Sequence, residues 1–258
     1  MSLNDTKQNI ALISTRPYEK NIALLKGLEN KNILLLNCPL TEIKALESYA
    51  EFDSILSNLH NYQHIIFIST NAVDSFVTRF KNLKIKLPNH IIFSSIGPKT
   101  KEALENEFEI SVNCPEENYD SEHLIKNNIF DNLQNKKVLI IRGKGGRETL
   151  KYMLEKKGAK VDYGECYIRN YLTIEQEKLN RELKNCTTIF ILISSYGCAF
   201  QLEQSPNQWI GDYKTKFIVN HKKIEFSLRN GNYRSHLDDV IVTNDLSAKS
   251  LLEIIQNN

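Results

Sequence analysis

No apolar run in this sequence is longer than the five residues of "IFILI" (189–193). That length suits a strand and falls far short of the roughly 20 residues that a membrane-spanning helix needs. The opening stretch "MSLNDTKQNIALIS" lacks the cationic and apolar regions of a secretory leader. No C-x-x-C pair occurs, and the five cysteines (Cys38, Cys114, Cys166, Cys186, Cys198) are odd in number. This speaks against a disulfide framework and a zinc knuckle, and it points to a reducing cytoplasm. Charge of one sign is also missing: 33 Lys and Arg stand against 31 Asp and Glu, a net +2, with the two signs interspersed. Neither a nucleic acid nor a membrane is therefore expected as a partner, and any anion site must be local. The six histidines are scattered and no helix carries an H-x-x-x-H pair, so neither a metal site nor a hydrolytic triad is expected.

What the chain does have is alternation. Short β-rich runs at 10–15, 33–36, 65–69, 91–96, 137–142, 189–194, 216–219 and 239–243 are separated by stretches of helical pattern. Strands buried on both faces read as continuous Ile, Val, Leu and Phe, which is the signature of parallel sheets in an α/β fold. Helix starts are marked by Pro98 after Gly97 and by Ser121 after Asp120.

The stretch "IIRGKGGRETLKYMLEKKGAKV" (140–161) turns from strand to helix on Gly143, Gly145 and Gly146. Such a turn brings backbone N–H groups close to a ligand at a helix N-terminus, where anions are favoured. It is neither a Walker loop, which ends in Gly-Lys-Ser/Thr, nor a dinucleotide loop, because Glu148 stands at the third glycine position. The cations Arg142, Lys144 and Arg147 point to an anion, while steric need for glycine in a tight turn explains it equally well. The unit also repeats. "IALISTRPYEKNIALLKGLENKNILLLNCP" parallels "KVLIIRGKGGRETLKYMLEKKGAKVDYGECY", with 142 − 16 = 126 between the arginines. "IIFISTNAVDSF" parallels "IFILISSYGCAF" at 194 − 69 = 125, and "IIFSSIGPKTKEAL" parallels "KFIVNHKKIEFSL" at 221 − 97 = 124. Three ordered matches imply two similar halves.

Together "STRP", "FISTNAV", "IGPKTKEAL", "LIIRGKGGRE" followed by "ECYIRNY", and "LISSYG" resemble the uroporphyrinogen-III synthase family from about Ile10 to Leu252. The resemblance implies an α/β protein of two flavodoxin-like parallel-sheet lobes, with the active site in the cleft between them. The lobes would comprise 1–34 plus 171–258 and the inserted 35–170, joined by a two-stranded linker near 34–40 and 164–171. It implies a cytoplasmic enzyme that cyclises hydroxymethylbilane, a linear tetrapyrrole with eight carboxylates, to uroporphyrinogen III with inversion of ring D and loss of water. No cofactor is implied. The partner is the small-molecule substrate; a monomer is implied, with room for transient contact with the bilane-producing enzyme.

On this chain the substrate-binding residues implied are Arg16, Ser69, Thr70, Asn71, Gly97, Lys99, Thr100, Arg142, Gly143, Lys144, Gly145, Arg147, Ser194 and Ser195. The serines and threonines also suit plain helix capping. Tyr167 matches the family's cleft-facing tyrosine on the returning linker and would donate a hydrogen bond to the departing hydroxyl. The chain departs from the family at His221 and Ile224, where the second half usually repeats glycine and threonine, and Trp209 reads as packing in a loop. A non-catalytic two-lobe protein that binds an anionic small molecule would share these features. A response-regulator-like module would need clustered acids at strand ends, where Ser69, Gly97 and Arg142 stand instead.

Overall fold

The computed structural model describes residues 9–29, 31–117, 119–204, 213–231 and 239–258; Trp209 lies outside them. The chain divides into two compact units, Met1–Glu42 with Asn170–Asn258, and Ile43–Arg169.

The first unit is built on β1 (Ile10–Ser14), β2 (Leu34–Asn37), β9 (Thr188–Ile193), β10 (Lys214–Val219) and β11 (Asp239–Val242). They lie in the order β11-β10-β9-β1-β2, and every pairing is parallel. Counted along the chain this is 2-1-3-4-5, the flavodoxin-like order. The helices α1 (Tyr18–Leu28), α7 (Gln176–Leu183), α8 (Tyr196–Gln204), α9 (Lys222–Asn230) and α10 (Ala248–Gln256) belong to this unit. The pleat sorts the continuous apolar runs onto both faces. Ala11, Ile13, Ile189, Ile191 and Ile193 pack with Leu179, Leu183 and Leu228 on one side. Leu12, Phe190 and Leu192 pack with Leu24, Leu28 and Leu251 on the other.

The second unit carries β3 (Thr41–Lys44), β4 (His64–Phe67), β5 (Ile92–Ser95), β6 (Val112–Asn113), β7 (Lys137–Gly143) and β8 (Lys160–Tyr171), in the order β3-β8-β7-β4-β5-β6. Its helices are α2 (Ala50–Ser57), α3 (Thr70–Leu83), α4 (Pro98–Phe108), α5 (Ser121–Ile125) and α6 (Thr149–Lys156). If β7 is counted first, the five strands β8-β7-β4-β5-β6 again read 2-1-3-4-5, so the second unit is a circular permutation of the first. Register makes the correspondence quantitative. Leu12 pairs with Phe190 and Val138 with His64, which gives 138 − 12 = 126 and 190 − 64 = 126. One face packs Ile65, Phe67, Leu139 and Ile141 against Phe76. The other packs Ile66, Val138 and Ile140 against Phe130 and Leu154.

The chain passes between the units twice, at 42/43 inside β3 and at 169/170 inside β8. These two strands are neighbours at the sheet edge and form the two-stranded linker. The first crossing lies 42 − 34 = 8 residues beyond the boundary expected from sequence. The reason is that Leu34–Asn37 adds to β1 over four register pairs and Leu36 enters the first core. What reads as a strand leaving a core is the core's own edge.

Candidate functional site

In a doubly wound sheet the crevice forms beyond the carboxyl ends of the strands, where the strand order reverses. In the first unit that point lies between β1 and β9, and in the second between β7 and β4. The residues singled out by sequence at the ends of these four strands are Arg16, Ser194 and Ser195 in one unit, and Arg142 to Arg147 and Ser69 to Asn71 in the other.

In the first unit the end of β1 is tied to the first turn of α8. The Thr15 hydroxyl donates to the Leu192 carbonyl at 2.8 Å, and the Cys198 thiol donates to the Thr15 carbonyl at 3.4 Å. Ser195 Oγ accepts from the Cys198 N–H at 3.2 Å and so caps α8. Ser195 is therefore the counterpart of Ser69, at 195 − 69 = 126, and the sequence alignment of Ser69 with Ser194 was one residue short. The turn after β1 is held by Asn21, which is 0% exposed in α1. Asn21 accepts from the Ser14 hydroxyl at 2.7 Å, and its amide donates to the Arg16 carbonyl at 3.1 Å and to Asn37 Oδ1 at 2.6 Å. The Arg16 guanidinium is half-buried and makes no side-chain hydrogen bond or ion pair among the described residues. Burial lowers its pKa, with the Cys198 thiol opposing that shift.

In the second unit Ser69 caps α3, accepting from the Ala72 N–H at 3.2 Å. Thr70 and Asn71 are half-buried in the first turn of that helix. Gly97 caps α4, with Lys99 exposed and Thr100 buried in its first turn. At the matching place in the first unit His221 caps α9, its Nδ1 accepting from the Lys223 N–H at 3.0 Å, while Ile224 is buried as Thr100 is. The substitutions keep the cap and the core contact while changing their chemistry.

Tyr167 is where the structure departs most from the sequence reading. It lies on β8, the returning linker strand, but its ring packs in the core of the second unit and is 2% exposed. A β-bulge explains this. Arg142 pairs with Glu165, but Gly143 pairs with Tyr167, leaving Cys166 as an extra residue. An unbroken pleat would put Cys166 and Tyr167 on opposite faces, whereas both pack in the same core. The Cys166 thiol donates to the carbonyls of Arg142 at 3.4 Å and Ala72 at 3.7 Å, and burial pushes its pKa up to about 12. The re-aimed Tyr167 hydroxyl lies 3.3 Å from Ser69 Oγ. Gly143 is the floor beneath the ring, since a Cβ there would come within 2.6 Å of Tyr167 Cζ.

Arg142, expected to capture an anion, is turned inward and is 4% exposed. Its guanidinium donates to the carbonyls of Gly143 (3.3 Å), Gly145 and Arg147 (3.3 Å) and to Glu148 Oε1 (3.4 Å). Lys144, Gly145 and Arg147 are exposed. The Gly145 N–H already donates to a carboxylate, that of Glu165, at 3.0 Å. The Tyr163 hydroxyl donates to Glu148 Oε2 at 2.7 Å, and burial, followed by this bond, raises its pKa. Sequence reasoning missed Asn21, Cys166 and Glu165. The adjacent core residues Cys166 and Tyr167, in a strand that otherwise alternates, were the available signal for the bulge.

A groove of about 440 Å³ in the first unit, lined by Leu35, Cys38, Pro39, Ile174 and Lys178 among others, contains none of Arg16, Ser194 and Ser195. Among the described residues no helix is long and apolar enough to cross a membrane.

The family model for uroporphyrinogen-III synthase HemD matches residues 23–217. The uroporphyrinogen-III synthase of Proteus mirabilis is 27% identical over 201 residues, covering 78% of this chain and 100% of that protein. That of Escherichia coli is 23% identical over 251 residues, covering 96% of this chain and 100% of its own. Solved structures with the same fold include a mutant uroporphyrinogen III synthase from Thermus thermophilus (TM-score 0.66, 13% identity, 96% of this chain and 98% of that one). Another is the uroporphyrinogen-III synthetase of Helicobacter pylori (TM-score 0.61, 15% identity, 95% and 99%).

Proposed function

The chain belongs to the uroporphyrinogen-III synthase family, and on that premise we propose that it converts hydroxymethylbilane to uroporphyrinogen III by eliminating water, as a hydro-lyase that uses no cofactor. The observation that carries the chemical reading is the Tyr167 hydroxyl at 3.3 Å from Ser69 Oγ, at the switch point of the second unit. The departing group is a hydroxide on a carbon next to a pyrrole. The ring nitrogen supplies the electrons that expel it, so the protein need only offer a weak proton donor at the leaving oxygen, which a phenol can be. The harder part is selectivity. The chain of four rings must be held so that the substituted carbon of ring D attacks, and closure to the symmetric type I isomer must be prevented. That is positioning, and backbone amides and hydroxyls at helix caps suit it.

The eight carboxylates of the substrate would be shared among the caps. Ser69, Thr70 and Asn71 open α3, Gly97, Lys99 and Thr100 open α4, and Ser194 with Ser195 opens α8. Arg16 is a half-buried cation without a hydrogen bond or ion pair among the described residues, and exposed Lys144 and Arg147 would add charge at the glycine turn. Five free thiols favour a cytoplasmic location. We take the protein to act as a monomer, in transient contact with the enzyme that supplies the bilane. The non-catalytic binding reading is not favoured.

The test is to give the purified protein freshly made hydroxymethylbilane, oxidise the products and separate the uroporphyrin isomers. Type III in clear excess is expected. A mixture identical to the spontaneous type I background overturns the proposal.

A further inference from the structure

A polar network on the second unit surrounds a guanidinium that is itself 4% exposed. Of the five N–H donors of Arg142, four are accounted for within its own turn: one from Nε to Gly143, two from Nη1 to Arg147 and Glu148, and one from Nη2 to Gly145. The guanidinium also sits 4.4 Å over the Tyr163 ring, and the hydroxyl of that tyrosine fixes the same Glu148 carboxylate. Gly146 makes room for it: φ there is +105°, and a Cβ would meet Arg142 Nη2 at 2.6 Å. The turn so shaped then grips β8. Lys144 N–H donates to the Tyr167 carbonyl at 2.7 Å, Gly145 N–H donates to Glu165 at 3.0 Å, and Gly143 lies under the Tyr167 ring.

We infer that Arg142 is a positioning residue: it shapes the Gly143–Glu148 turn so that the turn clamps the bulged segment and holds the Tyr167 hydroxyl at Ser69, and it does not itself bind substrate. The glycine turn is thus built first to hold the protein's own arginine and tyrosine. A planar fork that reaches three carbonyls and a carboxylate cannot be replaced by the single ammonium of lysine. The consequence for the reaction rests on the synthase reading above; the structural clamp does not.

Two measurements test it. In kinetics with hydroxymethylbilane, Arg142→Ala lowers kcat by about the same factor as Tyr167→Phe, roughly tenfold, and the double variant is no slower than either single one, because both changes remove one contribution. Factors that multiply to roughly a hundredfold in the double variant would mean that Arg142 acts independently, and would overturn the inference. Arg142→Lys behaves as the alanine variant does, and it carries the cycle if Arg142→Ala does not fold. Hydrogen exchange on the substrate-free full chain reads the clamp without any turnover. The Lys144 amide exchanges at least about tenfold faster in Arg142→Lys than in wild type while core strand amides do not change; unchanged protection at Lys144 overturns the clamp. If the wild type yields only the type I isomer, the synthase reading falls and hydrogen exchange still decides the role of Arg142.

Discussion

The turn after β1 and the turn after β7 occupy the same place in two permuted copies of one sheet, and each has an arginine at the equivalent position, Arg16 and Arg142. They are held together in opposite ways. In the first unit a buried amide, Asn21, reaches from the helix back to the turn, leaving Arg16 half-buried and without a hydrogen-bond partner among the described residues. In the second the arginine itself turns inward and satisfies the carbonyls of the turn. At the place of Gly143 the first unit has Pro17 (143 − 126 = 17). Equivalent residues in a duplicated fold thus need not share a role. The buried polar groups of a turn must be satisfied somehow, and whichever side chain does it is withdrawn from ligand binding.

The sharpest way to break this contrast is Gly143→Ala. A methyl group there collides with the Tyr167 ring and pushes the hydroxyl from Ser69; displacements of about an ångström can cost about a hundredfold in rate. Isomer-resolved kinetics should show that loss, and wild-type kcat would remove Tyr167 from the chemistry. The next largest effect is on the first unit. Asn21→Ala leaves the Ser14 hydroxyl and the Arg16 carbonyl without their partner and should cost about 2 kcal/mol in chemical denaturation. A loss under about 0.5 kcal/mol would show that the amide does not hold the turn.

Acid should then separate the units. His64 is 1% exposed, neither of its ring nitrogens is hydrogen-bonded among the described residues, and burial, followed by the charge of Lys136, lowers its pKa to about 4. Its counterpart in the first unit is Phe190. Because the unfolded chain takes up this proton near pH 6.5 and the folded one only near 4, the contribution is complete above pH 6.5 and is lost as pH falls through that window. At pH 5.5 the second unit should have lost about 1.4 kcal/mol, and His64→Phe should remove that pH dependence. Equal acid sensitivity of both units in wild type, followed by hydrogen exchange, would contradict it. The smallest effect sharpens the contrast between the arginines. Arg16→Ala should raise KM by about two- to fivefold with kcat unchanged, as loss of one partly exposed ion pair does; a fall in kcat with unchanged KM would make Arg16 a structural residue instead.

Most of the fold was legible because strands buried on both faces leave continuous apolar runs, and eight of them read within one or two residues of β1, β2, β4, β5, β7, β9, β10 and β11. The strands β3 ("TEIK") and β6 ("VN") were not legible, since edge strands are short and polar and look like loops. In the site, helix caps such as Ser69 and Gly97 could be read because capping is a local property. The inward turn of Arg142 and the partner of Asn21 could not, because both depend on which groups a tertiary arrangement leaves unsatisfied. The same limit placed the first crossing too early: nothing within "LLLN" tells whether it pairs with β1 or leaves it.

The pairing of β1 with β9 joins Ile10 to Thr188 across 188 − 10 = 178 residues, and the whole second unit lies between them. During vectorial synthesis from the N-terminus, every strand of that inserted unit is made, and emerges, ahead of β9. The second unit can fold as soon as its last strand emerges, while β1, β2 and α1 must wait with their apolar faces uncovered. The host folds around a finished guest, and the residues most in need of chaperone protection during translation are those of β1, α1 and β2.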